Sequence, residues 1–363
     1  MSIDPATIER ELQRLIRLPE NASTTGVPGT RTAVLNLIAY AADATTMERI
    51  VSTLAALVDH HPSRTIVAMA NADATAELDA QVHVDCRPMG TTGLKVCSEH
   101  VVLAASPRAL RRVPNVVLPL LLSDLPVVFW WPGEPALREP LLYDMLRPAN
   151  RFVVDTLGFV HVERSLVTLD ALRNRPGVGI DLADLNWGRL LPWRELVAQF
   201  WDVPAWRAQL SRLDRVEIQL GKPADGRSNR AQALLLAGWL ASRLGWTPTG
   251  MERLRDGYRL RARRRGGQVE IQIAISTQAT SGMRRIQFAR QGAGQLASFS
   301  VAASEDDTAQ MSVRRGGEEV YARTARIERL DEAELLATEL DMSSSDTVFE
   351  DALGAAAGFL RSA

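Results

Sequence analysis

The sequence predicts an α/β fold: an N-terminal domain built on a mostly parallel α/β sheet, then a C-terminal α+β domain with an antiparallel meander. Three observations carry this reading. Between Pro126 and the Pro132-Gly133 turn lie five consecutive apolar residues, Val127-Val128-Phe129-Trp130-Trp131. No side of that run can face water, so both faces need cover, as in a parallel strand between helices. Next, Pro140 to Arg147 carries Leu141, Leu142, Met145 and Leu146 at helical spacing and leads into Arg151-Phe152-Val153-Val154. Strand, short helix and strand make a βαβ unit. Finally, beyond Tyr258 the apolar period becomes two. Val269, Ile271, Ile273 and Ile275 alternate with Glu270, Gln272 and Ala274, which marks a sheet with one wet face.

In chain order, Asp4 to Arg17 reads as an amphipathic helix with Ile8, Leu12, Leu15 and Ile16 on one side. The Ser, Thr, Gly and Pro of residues 21–30 form a loop. Arg31 to Tyr40 is a strand, and Thr46 to His60 a helix with Ile50, Leu54, Leu57 and Val58 inward. Strands follow at Arg64 to Ala70, Gln81 to Arg87 and Leu94 to Leu103. Arg108 to Leu122 is helical but interrupted by Pro114 and Pro119, so it must kink or split. Ser165 to Arg173 is a short helix. In the segment from Asp184 to Trp201, Pro192 suits a first helical turn, and Trp193, Leu196, Val197, Phe200 and Trp201 fall on one stripe. A strand at Val216 to Leu220 and a helix at Ser228 to Leu244, with Ser228 as its cap, open the second half. Gly266-Gly267, Gly292-Ala293-Gly294 and Gly316-Gly317 are turns in a meander of about six strands. Two helices, Glu332 to Leu340 and Thr347 to Leu360, end it. The expected division is an N-terminal helix and linker over 1–30, an α/β domain over 31–162, a tryptophan-rich helical bridge over 163–212, and an α+β domain over 213–363.

With 363 residues the chain is long for one core. A net charge of −1 gives no general attraction to nucleic acid or to an anionic membrane. No apolar run of bilayer length occurs, and the N-terminal stretch has no signal-peptide core, so a cytoplasmic protein is expected. Two cysteines are too few for a secreted disulfide framework.

Motifs for chemistry are scarce. The sequence has no G-x-G-x-x-G after a strand, no Walker loop, no G-x-S-x-G elbow and no H-E-x-x-H. It therefore implies no cofactor, no metal and no catalytic residue, and favours binding over catalysis. Four local features remain. If Arg87 to Lys95 closes a hairpin, one register sets Cys86 opposite Cys97 and His83 opposite His100. Two reduced, partly buried thiols are the default there; a redox-active pair and a zinc site are the alternatives, the last opposed by residues three apart facing opposite ways on a strand. The loop from Gly221 to Arg230 could hold a phosphate with Lys222, Arg227 and Arg230 at a helix start, although a capped helix after a surface loop explains it as well. Arg259, Arg261 and Arg263 share one strand face, either simply solvated or a docking surface for an acidic partner. Trp187, Arg189, Trp193, Arg194 and Trp201 lie in a segment holding half of the eight tryptophans with Trp206. Such residues either pack domains together or anchor an interface.

Several stretches resemble a known family. Ser123 to Gly133, Leu185-Asn-Trp-Gly-Arg-Leu-Leu-Pro-Trp-Arg-Glu-Leu-Val-Ala-Gln199 and Ala233 to Trp246 are similar to the glucose-6-phosphate dehydrogenase assembly protein (OpcA) family. Arg31-Thr-Ala-Val-Leu-Asn-Leu37, His61-Pro-Ser-Arg64 and Asp346-Thr-Val-Phe-Glu-Asp-Ala-Leu353 resemble it too. The resemblance implies a non-catalytic accessory protein that binds glucose-6-phosphate dehydrogenase, promotes its active oligomer and raises NADPH production in the oxidative pentose phosphate pathway. In photosynthetic members it also implies thiol control by thioredoxin, for which this chain offers only Cys86 and Cys97. The rival expectation is a sugar-phosphate or nucleotide-binding enzyme or sensor using the carboxyl ends of the first sheet, with Glu134, Arg138 and Asp155.

Overall fold

A computed structural model describes residues 4–22, 29–31, 33–57, 61–71, 77–88, 95–135, 139–175, 179–223, 228–276, 282–290, 297–304, 307–342 and 344–362. The first part of the chain runs α1 (Pro5–Ile16), β1 (Thr30–Arg31), β2 (Leu35–Ala41), α2 (Ala44–Leu57), β3 (Ser63–Ala70), β4 (Leu78–Pro88) and β5 (Lys95–Ala105). It continues α3 (Pro114–Leu120), β6 (Val127–Trp131), α4 (Pro140–Leu146), β7 (Arg151–Val154), α5 (Val162–Arg173) and β8 (Asp181–Asp184). Then come α6 (Leu185–Gly188), α7 (Leu191–Phe200), α8 (Pro204–Leu210), β9 (Arg215–Leu220), α9 (Arg230–Leu244), β10 (Thr247–Leu254), β11 (Gly257–Arg264) and β12 (Gly267–Ile275). The remainder is β13 (Met283–Ala289), β14 (Ala297–Ala303), β15 (Thr308–Arg315), β16 (Glu318–Arg326), α10 (Glu332–Asp341) and α11 (Thr347–Arg361).

The chain divides into two compact units. The first comprises Met1–Gly158, Arg173–Leu185 and Asp331–Ser345; the second comprises Phe159–Leu172, Asn186–Leu330 and Asp346–Ala363. In the first unit the sheet order is β1-β5-β3-β2-β6-β7-β8, parallel throughout, with β4 added antiparallel on β5. The five-residue apolar run is β6, buried at every position between β2 and β7. Pro126 lies just before it, where a missing amide costs no ladder bond. The expected strand from Arg31 to Tyr40 is two pieces: β1 pairs with β5, and β2 pairs with β3 and β6. The proline-bearing stretch splits as expected into a 3-10 turn over Leu110–Arg112 and α3. Ile50, Leu54 and Leu57 of α2 are buried, whereas Val58 is outside the described residues.

Charges also hold this unit together. Arg64 and Glu99 are 2% and 1% exposed and pair at 2.7 Å. Arg64 reaches Glu9 on α1 at 2.9 Å and donates to the Leu120 carbonyl at 2.7 Å. Arg31 contacts both carboxylates, Glu99 at 2.6 Å and Glu9 at 2.8 Å. Two arginines and two carboxylates thus tie α1, β1, β3, β5 and the end of α3, each compensating the desolvation of the next.

In the second unit the order is β10-β11-β12-β9-β13-β14-β15-β16. The alternation read from sequence is real: Val269, Ile271 and Ile273 are buried. Two features were not expected. β9 enters the middle of the sheet, parallel to β12 and antiparallel to β13, so the meander is interrupted. β10 is an additional edge strand whose Thr247-Pro248-Thr249-Gly250 start hides it from pattern reading. The turns at 266–267 and 316–317 join neighbouring strands, and Gly292-Ala293-Gly294 is outside the described residues. α9 and α11 pack closely because Gly238 has no side chain: a Cβ there would collide with the Ala352 carbonyl. The α9 cap is Asn229, whose side chain accepts from the Gln232 amide, rather than the expected Ser228.

Candidate functional site

The tryptophan segment is mostly interior to the second unit. Trp187 is 2% exposed, and its indole N–H donates to Asp346 Oδ2 at 2.8 Å. Asp346 also caps α11 by accepting from the Phe349 amide at 2.9 Å. The Arg194 guanidinium lies 3.7 Å from the centroid of the Trp187 ring. Burial pulls the Arg194 pKa down to about 10, against the opposing pull of Asp346 and Glu195. Trp193 is buried, Arg189 half-buried, and Trp201 packs against Phe299 and Phe288 at 4.7 and 5.8 Å between ring centroids. Burial of Trp187 and Trp193 removes them as direct anchors for a partner. The segment's outward apolar side chains are Leu191 and Val203, 45% and 37% exposed.

The arginines of β11 point the other way. Tyr258, Leu260 and Ala262 are buried, whereas Arg261 and Arg263 are exposed and Arg259 is partly so. Cross-strand partners continue this side across the sheet: Arg259 pairs with Gln272, Gln272 with Glu217, Glu217 with Gln287, Gln287 with Ser300, and Ser300 with Ser312. The helical side carries Phe288 and Phe299, against which Trp201 packs. The tryptophan segment and the arginine strand therefore occupy opposite faces of one sheet. Sequence alone could not show this, because strand parity fixes sides only after the register is known.

The polar face is patterned in charge and depth. At the β11 end, Arg259 contacts Glu252 at 2.9 Å and Glu270 at 3.6 Å, and Arg261 contacts Glu252 at 3.5 Å. Further across, small side chains leave a concavity of about 370 Å³ lined by Arg285, Gln287, Ser298, Ser300, Ser312 and Arg314. Register shifts occur beside both arginines, and such bulges re-aim side chains. Arg285 Nε donates to Ser300 Oγ at 3.1 Å.

The remaining candidates are tied into structure. Asp155 is fully buried, 2.7 Å from Arg49, which also pairs with Glu332 at 2.5 Å. Asp155 further accepts from the Leu157 amide at 3.2 Å. Glu134 is half-buried with interactions of its own, and Arg138 is outside the described residues. The predicted hairpin register is the observed one: Cys86 faces Cys97 and His83 faces His100. The default of two separate thiols gives way to a disulfide, with Cα atoms 4.0 Å apart. Two sulfurs bonded to each other are not zinc thiolates. Arg227, one of three residues suggested to hold a phosphate, is outside the described residues.

Comparison with known proteins gives two matches in chain order. Residues 55–171 match the family model described as glucose-6-phosphate dehydrogenase subunit N-terminal domain, and residues 180–353 match the corresponding C-terminal domain. The chain belongs to the OpcA family. Curated OpcA relatives named as OxPP cycle proteins include one from Synechocystis, 35% identical over 190 residues, 52% of this chain and 38% of that protein. Another, from Nostoc punctiforme, is 37% identical over 163 residues, 45% of this chain and 33% of that protein. The match therefore spans only about a third of each of these OpcA relatives. Among solved structures, a super-repressor mutant of Gal80p from Saccharomyces cerevisiae matches with a TM-score of 0.51 and 8% identity, over 89% of this chain and 94% of that one. At that identity the likeness is one of fold alone. Among the described residues, no helix is long and apolar enough to cross a membrane.

Proposed function

We propose that this OpcA-family chain is a non-catalytic accessory protein that binds glucose-6-phosphate dehydrogenase, favours its active oligomer and so raises NADPH production by the oxidative pentose phosphate pathway. The reading rests on the pair of dehydrogenase-subunit matches, one after the other along the chain. An activator need only bind the active form of the enzyme better than the inactive one, and coupling of about 1–3 kcal/mol changes the equilibrium five- to 150-fold. The docking side we favour is the polar face of the second sheet, with Arg259, Arg261 and Arg263 at one end and Arg285 and Arg314 towards the other. Guanidinium groups suit bidentate contacts with carboxylates of a partner. Thioredoxin is a candidate second partner through the Cys86–Cys97 bond.

The test is to mix the purified chain with the dehydrogenase from the same cell. Co-elution, together with a higher maximal rate or a lower substrate KM, is expected; absence of both ends the proposal. The competing enzyme or sensor reading would need Asp155 to serve a ligand, yet Arg49 already engages its carboxylate. Turnover of a sugar phosphate by the isolated chain, lost on Asp155→Asn with the fold intact, would favour that reading instead.

A further inference from the structure

The polar face of the second sheet is sunken at one place. There β13, β14 and β15 pair without a register break, Arg285 to Phe288 against Phe299 to Ala302, and Ala297 to Ala303 against Ala309 to Arg315. Side chains two residues apart on a strand share a face, so neighbouring cross-strand rows can be followed across it. The middle row is Gln287, Ser300 and Ser312; Arg285 and Ala302 flank it on one side, Ser298 and Arg314 on the other. Serine is short where arginine and glutamine are long. The result is the concavity of about 370 Å³, lined by the hydroxyls of Ser298, Ser300 and Ser312 and the Gln287 amide, with Arg285 and Arg314 at its two ends.

Ala302 and Ser298, the β14 partners of Arg285 and Arg314, are four residues apart, about 13 Å along the strand. The two arginines therefore enter the concavity from opposite ends. Arg285 leans inward, its Nε donating to Ser300 Oγ at 3.1 Å. Neither arginine meets a carboxylate among the described residues. Glu319 pairs with Arg314 in the β15–β16 register but makes no ion pair with it, and Glu217, across from Gln287 on β9, is engaged by Arg215 at 2.8 Å. Two cations around one hollow repel each other, and an anion at each end relieves both. Guanidinium groups match phosphate and carboxylate oxygens bidentately. Hydroxyl and amide groups both donate and accept, as the hydroxyls of a polyol require. The volume falls in the range of small-molecule sites, about 300–1,000 Å³, but the lining is polar where such sites are mostly apolar, which disfavours an apolar ligand.

We propose that this concavity binds a small polyhydroxylated metabolite with an anionic group at each end, the chemistry of a sugar bisphosphate. Arg285 holds one end and Arg314 the other, while Gln287, Ser300 and Ser312 hydrogen-bond the hydroxyls between them. The inference does not rest on the dehydrogenase, and its test uses the isolated full chain, so either reading can fail without the other.

Isothermal titration calorimetry with fructose 1,6-bisphosphate, fructose 6-phosphate and inorganic phosphate tests it. The bisphosphate is expected to bind about tenfold tighter, or more, than either one-ended anion. Arg285→Gln and Arg314→Gln should each weaken bisphosphate binding about tenfold and bring it to the level of fructose 6-phosphate. Arg265→Gln removes the same charge from an exposed residue between β11 and β12 and should leave binding unchanged. Circular dichroism checks that each variant is folded; Arg314 is exposed, so its variant decides the matter even where Arg285→Gln unfolds. No binding of the bisphosphate at millimolar concentration overturns the proposal. So does equal affinity for the two fructose phosphates, wild-type binding by Arg314→Gln, or an equal loss in Arg265→Gln, which would mark a general charge effect.

Discussion

Arg194 stacks over the Trp187 ring at 3.7 Å while the indole N–H of the same ring donates to Asp346. One tryptophan is thereby fixed from its face by a cation and from its edge by the carboxylate that caps α11. Trp187→Phe keeps the ring packing and removes the N–H, leaving the Asp346 carboxylate without that donor. The expected cost is about 1–3 kcal/mol, the usual penalty for an abandoned buried partner. Trp187→Ala removes the ring as well and should cost about 3–5 kcal/mol. Denaturant unfolding followed by far-UV circular dichroism measures both, and equal costs for the two variants would show that the N–H contributes nothing.

The buried charge network of the first unit gives a second prediction. Glu99→Gln leaves Arg64, 2% exposed, with a neutral amide in place of its carboxylate. Breaking a buried pair from one side is expected to cost about 3–5 kcal/mol. Its pH dependence has a definite sign. Burial raises the Glu9 pKa, but hydrogen bonds and charge from Arg31 and Arg64 outweigh that and leave it below the ordinary carboxylate value. Stability from Glu9 is therefore complete above the unfolded-state pKa and fades as the pH falls through the lowered one. Acid titration of Glu9→Gln should lose part of the wild-type slope.

His100 titrates in a different window. Burial, aided by the neighbouring His83 and opposed by Asp85, pulls its pKa from 6.5 down to about 4. The unfolded chain then takes up a proton that the folded one refuses, so stability falls as the pH drops from 6.5 towards 4. The full effect is about 3.5 kcal/mol, each pKa unit being worth about 1.4 kcal/mol. His100→Gln should flatten the stability profile between these limits. An unchanged slope would mean that the ring reaches water.

The Cys86–Cys97 bond spans a short hairpin. Closing a loop of this length restricts the unfolded chain by about 3 kcal/mol on an entropic account. Reduction with a phosphine at neutral pH should lower the unfolding midpoint of the wild type and leave Cys86→Ser with Cys97→Ser unaffected. No shift on reduction would show that hairpin pairing alone sets the register.

How far the sequence went follows from the range of each signal. Local patterns were legible: the unbroken run of β6, the alternation of β11 and β12, and the hairpin that sets Cys86 against Cys97. Each is written within a few residues of itself. The insertion of β9 between β12 and β13 was not legible, since nothing in Arg215–Leu220 names its neighbours. The same limit hid the return of residues 331–345 to the first unit. For Trp187 and Trp193 the difficulty is chemical: core and interface select the same large aromatic side chain, and only burial separates them. The partner of Trp187, Asp346, is 159 residues away, beyond the reach of any local pattern.

The placement of the arginines and tryptophans on opposite faces of the second sheet yields the functional prediction. If the dehydrogenase docks on the polar face, Arg261→Glu with Arg263→Glu should weaken activation while leaving the chain folded, because both side chains are exposed. Arg261 contacts Glu252 only at 3.5 Å at the surface, a pair worth at most about 1 kcal/mol, so a stability loss cannot mimic the effect. The matched control, Leu191→Ser with Val203→Ser, alters the exposed apolar residues of the helical side and should leave activation unchanged. Half-maximal activation shifted at least tenfold by the first pair and unmoved by the second would assign the docking face. The reverse result would transfer docking to the helical face, where Leu191 and Val203 would be the contacting side chains.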